Sequence, residues 1–247
     1  MFYNNDNFTA HFHPSLEFIT VTAGKITVYD NETRLELNKG DCLLILPNRI
    51  HSIFCDKETN AEYYVCSFAT DYCNSFYNEL KNKYPKNIPL RIDEETLSFL
   101  LNQFICHDTL SIYRIKAIAY TICSEYYNQV HYSDQPQSGD LDLLHRLIAF
   151  IASNYSNDIT LKETAQHLGY EVHYLSRCFH KYFNFNFKEY VNQLRISEAK
   201  DMLLTTNTPI TAIAINCGFS SIRNFNRTFI NECGVSPKDF RSSHRKK

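Results

Sequence analysis

Two short stretches of the chain place hydrogen-bonding side chains on one stripe at helical spacing. Residues 169–183 read "GYEVHYLSRCFHKYF" and residues 218–232 read "GFSSIRNFNRTFINE". An arginine guanidinium can donate two hydrogen bonds to guanine and an asparagine amide can pair with adenine, while serine and histidine bond adaptably. The set therefore favours contact with the edges of nucleic-acid bases. The stripe residues are His173, Ser176, Arg177 and His180 in the first stretch and Arg223, Asn226 and Arg227 in the second.

The same kind of turn precedes each stretch. Ala165 lies four residues before Gly169, and Ala214 lies four residues before Gly218. Glycine commonly ends a helix because it accepts a positive φ, and a second helix would begin about three residues later, so each copy predicts a helix-turn-helix unit. A single amphipathic helix would be explained best by a polar face that is merely solvated. Two matched copies favour base readout instead.

The segment from Leu161 to Arg241 resembles the DNA-binding domain of AraC/XylS-type bacterial transcription regulators. The resemblance is carried by "LGYEVHYLSRCFHKYF", "FKEYVNQLRISEAKDMLLTTNTPITAIAINCGF" and "NFNRTFINECGVSPKDFR". It implies two helix-turn-helix units, joined by a long helix at 187–205, that dock in successive major grooves about 34 Å apart. By position, the implied base contacts are His173, Ser176, Arg177, Arg223, Asn224, Asn226 and Arg227.

The chain departs from the family pattern in places. Asn184 stands where glycine is usual, and asparagine tolerates the left-handed conformation of such a turn. His173 and Ile222 occupy contact positions that vary within the family, so no target sequence carries over. Other basic residues either contact phosphate or are solvated. They are Lys181, Lys188, Arg195, Arg241, Arg245, Lys246 and Lys247.

Short runs of β-branched and aromatic residues, separated by turn residues, extend from about Leu16 to Phe68 and predict a sandwich or small barrel. The stretch "HFHPSLEFITVTAG" has the spacing of the first cupin motif. The stretch "GDCLLILPNRIH" resembles the second, although it is one residue short and has Arg49 near the usual glycine. The positions of these motifs are His11, His13, Glu17 and His51.

The cupin resemblance leaves alternatives open for these four residues. In metal cupins such a set ligates a divalent ion, which implies a metal-dependent enzyme or a metal sensor. AraC-type regulators often begin with a cupin-like domain, so our preferred interpretation is a pocket for a small-molecule effector, with no metal, cofactor or catalytic residue. Histidine is also of intermediate burial, so surface or core filling is a third explanation.

Helical periodicity returns at 93–106 and 109–130. The resemblance implies that these helices dimerise the protein, although both faces could also be intramolecular core. The candidate interface residues are Leu97, Leu100, Leu101, Phe104 and Ile105.

The 247 residues have a net charge of −2, but residues 1–139 carry a net −6 and residues 140–247 a net +4. An acidic module joined to a basic one is consistent with phosphate contact by the second. No apolar run approaches the roughly 20 residues of a membrane helix. The N-terminus does not resemble a secretory signal. The nine cysteines have no pair at metal-binding spacing, so we expect reduced thiols in a cytoplasmic protein.

Together these patterns predict an α+β chain: a cupin-like β jelly roll with two following helices, then an all-α domain. The expected divisions are a sensor at 1–90, a dimerisation element at 91–130, a linker at 131–140 and the DNA-binding domain at 141–247. The expected function is effector-controlled, sequence-specific activation of transcription by a homodimer that binds double-stranded DNA and RNA polymerase. We expect no enzymatic activity.

Overall fold

The computed structural model describes residues 1–31, 33–56, 58–80, 83–86, 89–105, 110–133, 139–183 and 186–244. The chain divides into two compact units, Met1–Ser138 and Gly139–Lys247. The first contains antiparallel sheets with helices and the second contains helices, so the predicted α+β class is confirmed. No helix in the described ranges is long and apolar enough to cross a membrane.

Short strands build the first unit. They pair antiparallel in two four-stranded sheets, ordered first-eighth-third-sixth and second-seventh-fourth-fifth, which is the double Greek key of a jelly roll. The sequence pattern predicts strands only from about Leu16 onward. The first two strands lie before that region, and their three and four residues are too few to show an alternation of apolar and polar side chains. The strands are β1 (Phe2–Asn4), β2 (Phe8–His11), β3 (Leu16–Ala23), β4 (Lys25–Asp30), β5 (Thr33–Asn38), β6 (Cys42–Ile45), β7 (His51–Cys55) and β8 (Glu62–Phe68).

Alternation along β3 divides its side chains between two apolar clusters. Leu16 and Phe18 pack with the helices of the unit, whereas Ile19 and Val21 pack between the two sheets. Successive side chains of a strand point to opposite faces, so Glu17 shares the face of Ile19 and Val21. The strand period therefore directs a carboxylate into the space between the sheets.

Helices follow the strands of the first unit, and they confirm the two predicted near 93–106 and 109–130. Residues 106–109 lie outside the described residues. Residues 131–133 of the predicted linker form a strand paired with 84–86, and 134–138 lie outside the described residues. The elements are a 3-10 turn (Thr70–Tyr72), α1 (Asn74–Leu80), β9 (Tyr84–Lys86), α2 (Glu94–Ile105), α3 (Ile112–Gln129) and β10 (His131–Ser133).

The apolar side of α2 packs inside the first unit. Leu100 is fully buried, and Leu97 and Phe104 pack against the cluster that contains Leu16 and Phe18. The expectation that Leu100 faces a second subunit is therefore wrong, because this side of α2 covers the sheet. Ile105 is exposed.

The second unit consists of helices. Their bounds agree to within two residues with those that helical periodicity and cap residues predict, which are 141–154, 161–168, 172–183, 187–205, 209–217, 221–232 and 237–242. Ser236 precedes a proline, a pattern that predicts a helix cap, and it does cap the last helix, since its hydroxyl accepts from the Asp239 N–H. The pair Thr208-Pro209 likewise predicts a cap at Thr208 with proline at the first helical position. That prediction is wrong, because the helix begins at Ile210 and Pro209 occupies the cap position without a side-chain hydrogen bond. The helices are α4 (Gly139–Asn154), α5 (Leu161–Leu168), α6 (Val172–Phe183), α7 (Phe187–Thr205), α8 (Ile210–Asn216), α9 (Ile222–Cys233) and α10 (Pro237–His244).

Candidate nucleic-acid interface and histidine pocket

The first helix-turn-helix unit comprises α5, a turn at Gly169, and α6. A capping box starts α5: the Glu163 N–H donates to the Thr160 hydroxyl, and the Thr160 N–H donates to the Glu163 carboxylate. At its other end Gly169 has φ +78°, and the Tyr170 N–H donates to the Ala165 carbonyl at 2.9 Å. Glycine adopts this φ at little cost, so the cap ends α5 and turns the chain into α6.

The second unit, α8 and α9, repeats this construction. Gly218 has φ +83°, and the Phe219 N–H donates to the Ala214 carbonyl at 3.0 Å. The Ser221 hydroxyl then accepts from the Asn224 N–H and caps α9. The two turns share the same backbone hydrogen bond 49 residues apart, so the repeat predicted from the sequence is present in the structure.

The helices α6 and α9 bury their apolar residues and leave the predicted base readers at the surface. Phe179 and Phe229 are buried, as are Leu175 and Phe225. All of the predicted contacts are accessible to a partner. Exposed are His173, Ser176, Arg177, His180, Arg223 and Arg227, and half-buried are Asn224 and Asn226.

A groove of about 580 Å³ joins the two helix-turn-helix units to the start of α7. Ser176 and His180 line it from α6, and Asn224 lines it from α9. The structure therefore brings predicted readers of both units to one surface. Asn192 of α7 also lines the groove. Asn192 lies between the two repeated segments, so a comparison of the repeats could not identify it as a residue of this surface.

Two of the basic residues considered for phosphate contact are held by backbone carbonyls. Arg195 donates to Tyr155 at 2.7 Å and to Asn157 at 2.8 Å, and Arg241 donates to Thr208 at 2.7 Å. These charge-assisted bonds fasten α7 and α10 to neighbouring segments. Lys188 is exposed at the groove. Asn184, Arg245, Lys246 and Lys247 lie outside the described residues.

In the first unit the predicted pocket residues converge between the sheets. We call His11, His13, Glu17 and His51 the histidine pocket. One nitrogen or oxygen from each lies within 4.8 Å of the others, so the four could hold a metal ion. Strand pairing of β2 with β7 places His11 directly opposite His51, with ring centroids 4.3 Å apart.

Glu17 is the centre of the pocket's polar contacts. Its Oε2 lies 3.1 Å from His13 Nε2 and accepts a hydrogen bond from the Ser67 hydroxyl at 3.0 Å. Its Oε1 lies 3.4 Å from His51 Nε2, without the geometry of a hydrogen bond. Ser67 was not predicted, because it meets Glu17 only through the register of β8 against β3.

Each imidazole of the pocket is oriented by a backbone carbonyl. Nδ1 of His11 is 2.8 Å from the Thr9 oxygen, Nδ1 of His13 is 3.1 Å from the Ser15 oxygen, and Nδ1 of His51 is 2.8 Å from the Arg49 oxygen. A carbonyl only accepts, so Nδ1 carries the donated proton in each ring. When the ring is neutral, Nε2 is then an acceptor.

The pKa values of the pocket follow from burial and from these contacts. Burial and the neighbouring His51 lower the pKa of His11 to about 4, so this ring is neutral near pH 7. The hydrogen bond with Glu17 raises the pKa of His13. Burial alone would raise the pKa of Glu17, but the contacts with His13 and His51 outweigh it and hold that pKa well below its usual range. The carboxylate is therefore ionised inside the unit.

Two family models match the chain. Residues 3–107 match the AraC-like ligand binding domain, and residues 164–243 match a helix-turn-helix domain. Over its length the chain is similar in fold to ToxT from Vibrio cholerae, with a TM-score of 0.59 and 17% identity over 98% of each chain.

Similar sequences are regulators of transcription. An uncharacterized HTH-type transcriptional regulator of Staphylococcus aureus is 26% identical over 236 residues, which are 90% of this chain and 30% of that protein. The chain thus spans about a third of that relative's length. The HTH-type transcriptional activator AarP of Providencia stuartii is 32% identical over 114 residues, which cover 46% of this chain and 84% of AarP. The chain therefore belongs to the AraC/XylS-type family of bacterial transcriptional regulators, with a ligand-binding domain followed by a helix-turn-helix DNA-binding domain.

Proposed function

We propose that the protein binds specific DNA sequences by inserting α6 and α9 into two successive major grooves. The observation that carries this proposal is the pair of matched helices, each set by a glycine turn and each with an exposed polar stripe. The helix after the turn is the one that enters the groove in helix-turn-helix proteins. The base contacts would be His173, Ser176, Arg177, His180, Arg223, Asn224, Asn226 and Arg227.

Selection of bound fragments from the genome of the native host tests this role. We expect recovered fragments to share a motif with two half-sites about one helical turn, roughly 10 base pairs, apart. Binding to that motif should exceed binding to unrelated DNA at every salt concentration, while both weaken as salt rises. Recovery of fragments without a shared motif would count against sequence-specific regulation. The genes beside recovered sites would also indicate the regulated pathway.

The N-terminal unit, in this proposal, binds the effector that controls DNA binding, and the histidine pocket is the site. Support comes from the match to an AraC-like ligand binding domain and from four polar side chains gathered between the sheets. An effector acts only if it binds two arrangements of the protein unequally, and coupling energies are typically about 1–3 kcal/mol. An effector should therefore change the affinity for DNA about 5- to 150-fold.

We further propose activation as the direction of control and RNA polymerase as a protein partner. Activation is supported by the name of AarP, a transcriptional activator. A reporter gene placed behind a recovered site should be transcribed more strongly with the protein than without it. Lower transcription would reverse the assignment to repression. The protein would act in the cytoplasm and would catalyse no reaction.

Self-association through α3 is part of the same proposal. Tyr113 is 82% exposed, and Tyr120 and Tyr127 follow at intervals of seven residues with about half of their surface exposed. A spacing of seven keeps side chains on one side of a helix. Analytical ultracentrifugation should show a dimer. The double variant Tyr113→Glu/Tyr120→Glu should dissociate more readily than wild type, whereas Arg34→Glu on β5 should leave the dimer unchanged. A monomer at all concentrations would contradict this part.

A further inference from the structure

We propose that the histidine pocket binds one divalent first-row transition metal ion through Nε2 of His11, His13 and His51 and the carboxylate of Glu17. The proposal deepens the effector role of this pocket and rests on the first unit being a ligand-binding unit. It departs from the expectation of a metal-free protein, and the geometry is the reason.

Convergence is the first observation. The four potential ligand atoms lie within 4.8 Å of one another, although their residues come from different parts of both sheets. His11 ends β2, His51 begins β7, and Glu17 lies on β3 of the other sheet. Three separate strands thus place a nitrogen or oxygen atom near one point. Histidines that only filled space would not need to converge in this way.

Orientation of the rings is the second observation. All three Nδ1 atoms face the carbonyl oxygens of Thr9, Ser15 and Arg49, at 2.8, 3.1 and 2.8 Å. Such a bond on one ring nitrogen fixes the tautomer and leaves the other nitrogen as a metal ligand. The Ser67 hydroxyl likewise holds Glu17. The outer contacts of a metal site are therefore already in place.

The third observation is an orphaned nitrogen. His51 is 1% exposed, and its Nε2 makes no hydrogen bond among the described residues. Its nearest acidic atom is Glu17 Oε1 at 3.4 Å. A buried polar atom without a partner is unfavourable. A cation between this nitrogen and the carboxylate would satisfy both groups.

The donor set selects the class of metal. Three imidazole nitrogens and one carboxylate suit zinc, iron, nickel or copper, whereas magnesium and calcium prefer oxygen ligands. The pocket contains no cysteine thiolate among its four members. A hydrogen-bonded His–Glu network without metal is the competing explanation, and it predicts no stoichiometric binding.

The test uses the full chain after treatment with a chelator and dialysis. Co²⁺, Ni²⁺ and Zn²⁺ are added separately, bound metal is measured by elemental analysis, and Co²⁺ is followed by its visible absorption. We expect one equivalent of metal, a Co²⁺ spectrum with nitrogen and oxygen ligation, and a higher melting temperature. Absence of stoichiometric binding of all three ions would overturn the proposal.

Variants locate the site. His51→Ala and His13→Gln should both lose stoichiometric binding. His13 is less buried than His51, so its variant keeps the test available if His51→Ala does not fold. His131→Ala, an exposed histidine on β10, is the matched control and should bind like wild type. Ser67→Ala should weaken Co²⁺ binding about 10- to 100-fold, since it removes an outer contact. Equal binding by His13→Gln and wild type would place the metal elsewhere and refute the site.

Metal binding is measured without DNA, so its outcome is separate from the proposed regulatory function. A protein that binds its operator but takes up no metal would refute this inference alone. A protein that binds metal but no specific DNA would refute the proposed function alone.

Discussion

The guanidinium of Arg227 donates a hydrogen bond from Nη2 to the amide oxygen of Asn224, 3.0 Å away on the surface of α9. The two residues are three positions apart, a spacing that brings side chains together on a helix. Both are predicted base readers, and the bond restricts the arginine side chain before DNA arrives. Because less conformational freedom is then lost on binding, this arginine is suited to a specific contact.

Replacing Arg227 or Arg177 by alanine should weaken binding to the specific site by about 1–3 kcal/mol for each lost bidentate contact. Binding to unrelated DNA should change much less, because the lost contact reads a base. Gel-shift titrations against both DNAs measure the difference. Arg34→Ala removes the same charge from an exposed residue of the first unit and serves as the control. If both arginine variants bind the specific site as tightly as wild type does, these two base contacts are rejected.

Gly218 and Gly169 should differ in their tolerance of alanine. Both have positive φ, which costs a non-glycine residue about 1–2 kcal/mol. A Cβ at Gly169 would meet nothing within 4 Å, whereas one at Gly218 would lie 2.8 Å from the carbonyl oxygens of Tyr155 and Ser156. We therefore expect Gly218→Ala to lower the free energy of unfolding by about 1–3 kcal/mol more than Gly169→Ala.

Urea unfolding followed by circular dichroism at 222 nm measures this difference, since helices dominate the second unit. The loop at 155–157 is also bound by Arg195 of α7. Displacement of Gly218 should therefore shift the second helix-turn-helix unit against this loop and weaken specific DNA binding as well. Equal stabilities of the two alanine variants would contradict the close approach at Gly218.

The capping boxes of α5 and α7 should contribute measurably to stability. The Thr160 hydroxyl accepts from Glu163, and the Asn186 amide oxygen accepts from the Glu189 N–H at 2.9 Å. Replacing either cap by alanine leaves an N–H without its partner and should cost about 0.5–2 kcal/mol. Thr160→Ser keeps a hydroxyl and should retain most of the stability. A serine variant as unstable as the alanine variant would mean that the hydroxyl is not responsible.

Asp140 should make the second unit less stable at acidic pH. Tyr174 donates to its carboxylate at 2.7 Å and Tyr182 donates at 3.2 Å, with Lys181 nearby, and these contacts lower the pKa of Asp140. A lowered pKa in the folded state stabilises the fold above the pKa of the unfolded chain, about 3.9 for aspartate. The stabilisation is lost as the pH falls through the folded pKa.

Melting temperatures of wild type and Asp140→Asn should therefore differ near pH 7 and converge below about pH 4. Asp142→Asn changes an exposed carboxylate in the same helical turn and should show no such convergence. A difference between wild type and Asp140→Asn that stays constant with pH would assign the effect of Asp140 to packing rather than to its charge.

The helices of the second unit were predictable because their signals are local. Glycine at 169 and 218, the Thr160 cap and the apolar residues at intervals of three and four lie within a few residues of the helix ends they determine. The predicted cap at Thr208 was wrong because a local sequence pattern does not specify the first residue of a helix uniquely. Either of two adjacent residues could begin the helix, and the structure places Pro209 at the cap position.

The first unit shows where local patterns are insufficient. Strand β2 is four residues long, and its alternation is too brief to identify it. Its pairing with β7 brings His11 against His51, forty residues later in the chain. The apolar stripe of α2 was evident, but whether it faces the sheet or a second subunit depended on the sheet beneath it.

The α+β class, the duplicated helix-turn-helix units, the residues of their polar stripes and the candidate pocket residues could all be predicted from the sequence. Each of these follows from composition, periodicity or a short motif. Two features came from the three-dimensional packing instead. Ser176, His180 and Asn224 lie in one groove, and three histidines whose Nδ1 atoms are already hydrogen-bonded converge with Glu17. Strand register and helix packing join residues far apart in the chain, and neither is specified by the residues adjacent to them.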